Sequence, residues 1–317
     1  VKLALLISLA LVAVLVLTAC VGLRTPPFSA FPEVPRRVTQ RFGAITIHAV
    51  HTGWVRVKTK HRDLSGPVSS RMLGIVADPS WTPWMPVTSY VIDHPEGVFV
   101  VDTGLSEGML DEAYFACDPG TAFVYGNLLQ FSLAPEDRID RRLAELGLEP
   151  GAVKGIVLTH RHGDHTGGLE FLPASATIYV GEGDWPMHAG ALACRWPAGR
   201  TPTLVGRDGE PVEAMIGSRA LTTDGAVRVV PLNGHSPGHL GVLVQLGGRS
   251  ALLAGDALFD LDQLRERRLA GIVELPDLAR ASLDLVARQL ETVPTFLLLA
   301  HDPDSLARFA KGEVARL

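Results

Sequence analysis

Hydrophobic and polar positions in this chain fall into short blocks whose period changes along its length. An unbroken apolar run covers residues 3–17, and residues 21–37 then mix small and polar residues with Pro26, Pro27, Pro32 and Pro35. That second composition builds no core and favours an extended tether, so a folded domain is expected over 38–317. Ile45-Thr46-Ile47-His48-Ala49-Val50 alternates, and Trp54-Val55-Arg56-Val57 follows Gly53, predicting two strands with a bend between them. Two further strands, ending at His94 and beginning at Gly97, read as a hairpin. Ile139, Leu143 and Leu146 recur at helical spacing among charges, an amphipathic helix that Gly147 ends. Apolar runs of strand length return at 155–158, 177–180, 227–232, 250–254 and 295–300.

Three stretches stand apart from these elements. Residues 61–89 carry Trp81 and Trp84 among prolines. They form either a loop closing over the core or one wall of an apolar substrate pocket. Residues 114–131 are aromatic-rich, with Phe115, Phe123, Tyr125 and Phe131, and read as a second pocket wall or as simple core packing. Residues 181–211 are rich in Gly, Pro and Trp and read as a long irregular insertion over one face.

Four of the apolar runs lead into a metal-donor residue: His160, His235, Asp256 and His301. Such a pattern brings strand ends together at one site, the place where open α/β sheets bind ligands. The densest stretch, Thr159-His160-Arg161-His162-Gly163-Asp164-His165-Thr166-Gly167-Gly168, sets three imidazoles and a carboxylate within six positions. Neutral imidazole and carboxylate are the N and O donors that zinc accepts. The full donor set is His160, His162, Asp164, His165, His235, Asp256 and His301, more than the four that close one zinc site, so two ions are expected. Zinc is the expected metal, with iron or manganese accepted by similar donors. His48 and His51 read as structural or surface histidines outside this set, and His239 as a residue that supports the ligands from behind or is structural.

Composition changes the picture only modestly. The chain has 317 residues, 47% hydrophobic and 20% charged, with a net charge of −5. No basic block marks a nucleic-acid partner. At the amino terminus, Lys2, the apolar run and Thr18-Ala19-Cys20 read as a secretory signal over 1–20, with an uncleaved membrane anchor as the alternative. Leu17-Thr18-Ala19-Cys20 resembles the bacterial lipobox, which implies lipid on Cys20 and a domain exported and held at a membrane, in the periplasm or at the cell surface. In such a compartment Cys117 and Cys194 have the option of pairing, which their spacing leaves open.

The His-x-His-x-Asp-His segment, with Thr159 before it and Gly167-Gly168 after it, resembles the metal-binding motif of the metallo-β-lactamase superfamily. The resemblance runs from about Ile45 to His301, through Asp102-Thr103-Gly104, the loop at His235, Gly255-Asp256 and Ala300-His301-Asp302. It implies an α/β fold, a four-layer αββα sandwich. It also implies that His160, His162 and His235 bind one metal, that Asp164, His165 and His301 bind the other, that Asp256 bridges them and that Asp102 supports the loop from behind. The implied chemistry is hydrolysis by a metal-bridging hydroxide, with Asp164 carrying a proton to the leaving alkoxide.

Within the superfamily, Asp93-His94-Pro95-Glu96-Gly97 and Phe131-Ser132-Leu133 resemble the N-acyl homoserine lactonase branch. That branch has a tyrosine three residues after the bridging Asp; here the residue is Phe259, which has no hydroxyl to donate. The expected substrate is a small ester or lactone. Alternatives on the same metal core are a metallo-β-lactamase, an organophosphate or aryl ester hydrolase, an iron-dependent oxidoreductase, and a non-enzymatic metal-binding lipoprotein.

Overall fold

A computed structural model describes residues 29–62, 68–186 and 188–317. The signal segment, Cys20 and the first part of the tether lie outside the described residues. The elements, in chain order, are β1 (Arg37–Phe42), β2 (Ile45–Val57), α1 (Thr59–Arg62), α2 (Val68–Val76), β3 (Met85–His94), β4 (Gly97–Val101), α3 (Pro119–Leu128), β5 (Leu129–Ser132) and α4 (Ile139–Glu145). There follow β6 (Val153–Val157), α5 (Gly163–Thr166), β7 (Thr177–Gly181), β8 (Thr203–Val205), β9 (Glu210–Val212), β10 (Met215–Ala220), β11 (Val227–Pro231), β12 (Leu240–Gln245) and β13 (Ser250–Gly255). The last elements are α6 (Leu261–Arg265), α7 (Pro276–Thr292), β14 (Thr295–Leu299) and α8 (Pro303–Ala310).

Among the described residues eight strands make one sheet, ordered β1-β2-β3-β4-β6-β7-β8 with β5 on β2, and six make a second, ordered β14-β13-β12-β11-β10-β9. The two-residue period of each strand sorts its side chains between two apolar layers. Ile47, Ile92, Phe99 and Val101 of the first sheet meet Val229, Val242, Leu253, Phe296 and Leu298 of the second in a central core. Their neighbours Val91, Val100 and Ile156 point the other way, onto Ile139 and Leu143 of α4. On the far side Val230, Leu252 and Leu297 pack on Ala279, Leu283 and Val286 of α7, which recur every three or four residues. Helix, sheet, sheet, helix is the four-layer αββα sandwich.

Several elements differ from the sequence reading. β2 is one strand of 13 residues, not two; the irregularity falls between His51 and Trp54, where Gly53 adopts φ +129°. A Cβ there would press on Leu105, so glycine lets the strand continue through the kink. Residues 114–131, read as a pocket wall or core packing with no helix assigned, contain α3, started by Pro119 with Asp118 Oδ1 accepting from Thr121 N at 2.8 Å. Residues 181–211 include β8 and the start of β9. Residues ahead of β1 also touch the domain: Phe31 packs 5.2 Å from Trp54 and 5.0 Å from Trp84. Cys117 and Cys194 form a disulfide, joining the start of α3 to the 181–211 insertion.

Two cross-sheet contacts fix how the strand ends meet. Leu240 N donates to Thr159 O at 2.7 Å, and Thr88 N donates to Ala300 O at 3.0 Å. The segments after β6, β11, β13 and β14 are thereby gathered at one edge of the sandwich.

Candidate metal centre

The first donors follow β6. Leu158 and Thr159 stay buried, and the chain then turns into the single turn of α5, which carries Asp164 and His165. Tyr125 OH accepts from Gly163 N at 2.7 Å, so α3 holds the start of that turn. Gly168 lies so close to Thr103 that a Cβ would overlap its carbonyl, and only glycine lets the metal loop close down on the Asp102 turn.

Asp102 organises the loop from behind. Its backbone takes φ +57°, uncommon for a residue with a Cβ. Its Oδ1 accepts from Thr159 N at 2.8 Å, while Oδ2 accepts from Thr159 Oγ1 at 2.8 Å and faces His165 Nδ1 at 2.8 Å. Behind the other loop, Asp184 accepts from Ser236 Oγ at 2.7 Å and from Gly238 N at 2.6 Å, clamping the segment that presents His235. Asp184 sits in the stretch read as an irregular insertion, where no motif marks it.

All seven predicted donors converge. His160, His162 and His235 form one group; Asp164, His165 and His301 form another; His160, His165 and Asp256 connect them. Asp256 turns one oxygen to each side. Oδ2 lies 4.0 Å from His160 Nε2 and 3.8 Å from His235 Nε2. Oδ1 lies 3.4 Å from His165 Nε2 and 3.3 Å from His301 Nε2. Asp164 Oδ2 completes the second group, 3.4 Å from His301 Nε2 and 3.8 Å from His165 Nε2.

Hydrogen bonds made by the outward nitrogens settle the tautomers. His301 Nδ1 donates to Pro86 O at 2.9 Å, His162 Nε2 to Ala189 O at 3.2 Å, and His165 Nδ1 to Asp102. His160 Nδ1 donates to Thr159 Oγ1 at 3.1 Å, since that hydroxyl gives its own proton to Asp102. The inward nitrogens are left as lone pairs, and those of His160 and His162 face each other at 2.8 Å. Two lone pairs at that distance need a cation between them. Donors about 2.0–2.1 Å from an ion, at tetrahedral corners, lie roughly 3.3 Å apart, which the spacings above bracket. Among the described residues His165 Nε2 and Asp256 Oδ1 are fully enclosed and have no hydrogen-bond partner, as a ligand pair is before its ion is added. The residues fit two divalent ions.

Local charge agrees. Burial, and then His165, hold His160 well below the usual histidine range; burial and then His188 bring His162 down to about 4, and burial also lowers His235. Burial also opposes charge on His165, yet the carboxylates of Asp256, Asp102 and Asp164 outweigh it and push that ring up. Burial alone would raise Asp256, but His301 and His165 bring it far down. The carboxylate side of the centre attracts positive charge.

Other predicted residues fall into place less evenly. His239 is buried behind the cluster, its Nε2 accepting from Asp256 N at 3.1 Å. His48 faces Thr39 on β1, and His51 packs on Trp54. Phe259 lines the cavity over the metal groups and stacks on His301 at 5.8 Å. Trp81 and Trp84 do not line it. Their rings lie instead against cations at the end of β2 and just past it: Lys58 Nζ is 4.1 Å from the Trp81 ring, and the Arg56 guanidinium is 4.7 Å from Trp84. The cavity, about 300 Å³, is walled instead by Val55, Val57, Met72, Met85, Val124 and Leu129. His61 and Tyr125 also face it, and His61 escaped the sequence reading altogether.

Residues 82–301 match the metallo-beta-lactamase superfamily. This chain belongs to that superfamily. It is 30% identical over 233 residues to a probable metallo-hydrolase of Mycobacterium tuberculosis, covering 68% of this chain and 71% of the relative. It is 28% identical over 243 residues to the N-acyl homoserine lactonase AttM of Agrobacterium fabrum, covering 72% of this chain and 86% of AttM. Among solved structures it resembles an N-acyl homoserine lactone hydrolase holding N-hexanoyl-L-homoserine at its catalytic metal centre. That match has a TM-score of 0.64 and 21% identity, and covers 81% of this chain and 92% of the other. The dizinc lactonase AidC gives a TM-score of 0.54 at 16% identity, over 85% of this chain and 92% of AidC.

Proposed function

We propose that this superfamily member is a two-zinc hydrolase that opens a neutral, largely apolar ester or lactone, with N-acyl homoserine lactones the first substrates to test. The observation that carries this reading is Asp256, whose two oxygens serve two separate donor groups at the floor of an apolar cavity. AttM and the structural neighbours with bound acyl homoserines support the choice of lactone.

Ions held by these residues supply Lewis acidity and lower the pKa of water. The chain's own groups do the rest. His160, His162 and His235 offer neutral lone pairs, while Asp102, Thr159 and the carbonyls of Pro86 and Ala189 keep the rings from rotating. The Val55, Val57, Met85 and Leu129 side chains exclude water and accept an acyl chain. Asp164 faces the cavity, placed to take a proton from the attacking water and return it to the departing alkoxide as the ring C–O bond breaks, so that a lactone leaves as its hydroxy acid.

Export belongs to the same reading. The Cys117–Cys194 disulfide supports an oxidising compartment. Leu17-Thr18-Ala19-Cys20 supports lipid attachment at Cys20, with 21–37 linking a membrane anchor to the catalytic domain, in the periplasm or at the cell surface.

Acid release from a long-chain N-acyl homoserine lactone by the zinc-loaded protein tests the activity. Asp164→Asn is expected to cut turnover by about 10²–10⁴ while leaving the fold intact. Unchanged turnover in that variant contradicts the proton-carrying role; no release by wild type holding two ions contradicts the lactone.

A further inference from the structure

The cavity carries a hydrogen-bond donor that no metal group uses. Among the described residues, and apart from the five ligands that face it, the lining side chains with polar atoms are His61, Asp118, Thr121, Tyr125 and Glu274. Most are committed. Tyr125 OH donates to Gly190 O at 3.2 Å and accepts from Gly163 N. Asp118 caps α3, and Glu274 pairs with His188 Nδ1 at 3.2 Å. Phe259 has nothing to donate.

His61 is different. Among the described residues neither of its ring nitrogens has a hydrogen-bond partner, and of the two only Nδ1 is fully enclosed. A buried N–H left without an acceptor is rarer than a buried acceptor left without a donor, which places the proton on Nε2, the ring nitrogen that is not fully enclosed, on a side chain that lines the cavity. The ring is close enough to the metal centre to feel His162, Asp164, Asp256 and His301, and burial brings its pKa down to about 4, so it is neutral near pH 7. A neutral imidazole would add no repulsion to ions held by the ligand groups.

The backbone of His61 is also fixed against the segment that bears Phe259. Ile272 N donates to His61 O at 3.1 Å. Gln263, buried on α6, donates from Nε2 to Arg62 O at 2.8 Å and accepts from Phe259 N on Oε1 at 2.8 Å. The Arg62 side chain pairs with Asp260. One amide thus locks the residue next to His61 to Phe259, and through Phe259 to the ring of His301.

We propose that His61 is a catalytic residue whose Nε2–H donates a hydrogen bond to the substrate carbonyl oxygen, the atom that gains charge as the carbonyl carbon is attacked. The assignment rests on the hydrolase reading above and names the donor that reading lacks.

The test uses the full zinc-loaded chain, with metal content measured for each variant, and two readouts. The first is turnover of an N-acyl homoserine lactone. The second is the infrared stretch of the ¹³C-labelled ring carbonyl in a bound N-acyl homoserine lactam, whose amide resists hydrolysis. His61→Phe is expected to keep both ions, to lower kcat about 10²-fold with little change in KM, and to return the lactam carbonyl stretch toward its free value. His61→Gln, which keeps an N–H donor, is expected to recover part of both effects. Loss of an ion in His61→Phe, an unshifted carbonyl stretch, or a shift that follows Thr121→Val instead overturns the assignment. If wild type turns over no lactone yet its lactam carbonyl responds to His61, the substrate reading falls while the donor assignment stands.

Discussion

The histidine shell and the apolar wall of the cavity meet at Phe259 and are built in opposite ways. In the shell, strands of both sheets end in donors, and each ring is held by a hydrogen bond to its outward nitrogen or by the clamped loop that presents it. In the wall, short helices and strand flanks remote in sequence are brought together by packing and by a few side-chain bridges such as Gln263. Local chemistry specifies the shell, whereas the wall exists only after the chain has folded. The shell is therefore suited to fix the reaction, and the wall to choose what reaches it.

Asp102→Asn tests the shell and carries the larger effect. The amide removes the carboxylate that accepts from Thr159 and His165, and metal affinity or turnover is expected to fall about 10–100-fold. Zinc titration of the metal-free variant checks this. An unchanged affinity shows that the His165 ring does not depend on its outward partner.

Gln263→Ala tests the wall. It leaves Phe259 N–H and Arg62 C=O without their partner, so stability is expected to fall by about 1–3 kcal/mol. KM is expected to rise with both ions retained. Thermal unfolding followed alongside metal analysis reads both. Loss of an ion in this variant breaks the separation between shell and wall.

The same contrast explains what the sequence revealed. The four donor-terminated runs and the His-x-His-x-Asp-His stretch were readable because strands keep a two-residue period and their ends converge. The resemblance supplied Asp102 and the division of ligands between two ions. The wall was not readable. His61 lies on a four-residue helix with no period to detect, in a stretch where Trp81 and Trp84 drew attention as pocket residues. Those tryptophans instead pair with Arg56 and Lys58, at and just past the end of β2, a pairing that sequence order conceals. For α3 the signals were present in Asp118 followed by Pro119, but the aromatic residues around it suggested a wall in place of a helix. Tyr125 combines the two: it packs among aromatics, lines the cavity and holds Gly163.

The central claim is a pair of ions joined by Asp256, and metal content measures it most directly. Wild type saturated with zinc and then dialysed is predicted to hold two ions per chain, and Asp256→Ala at most one, because each donor group loses a carboxylate oxygen. One ion or none in the wild type, or two retained in Asp256→Ala, contradicts the account.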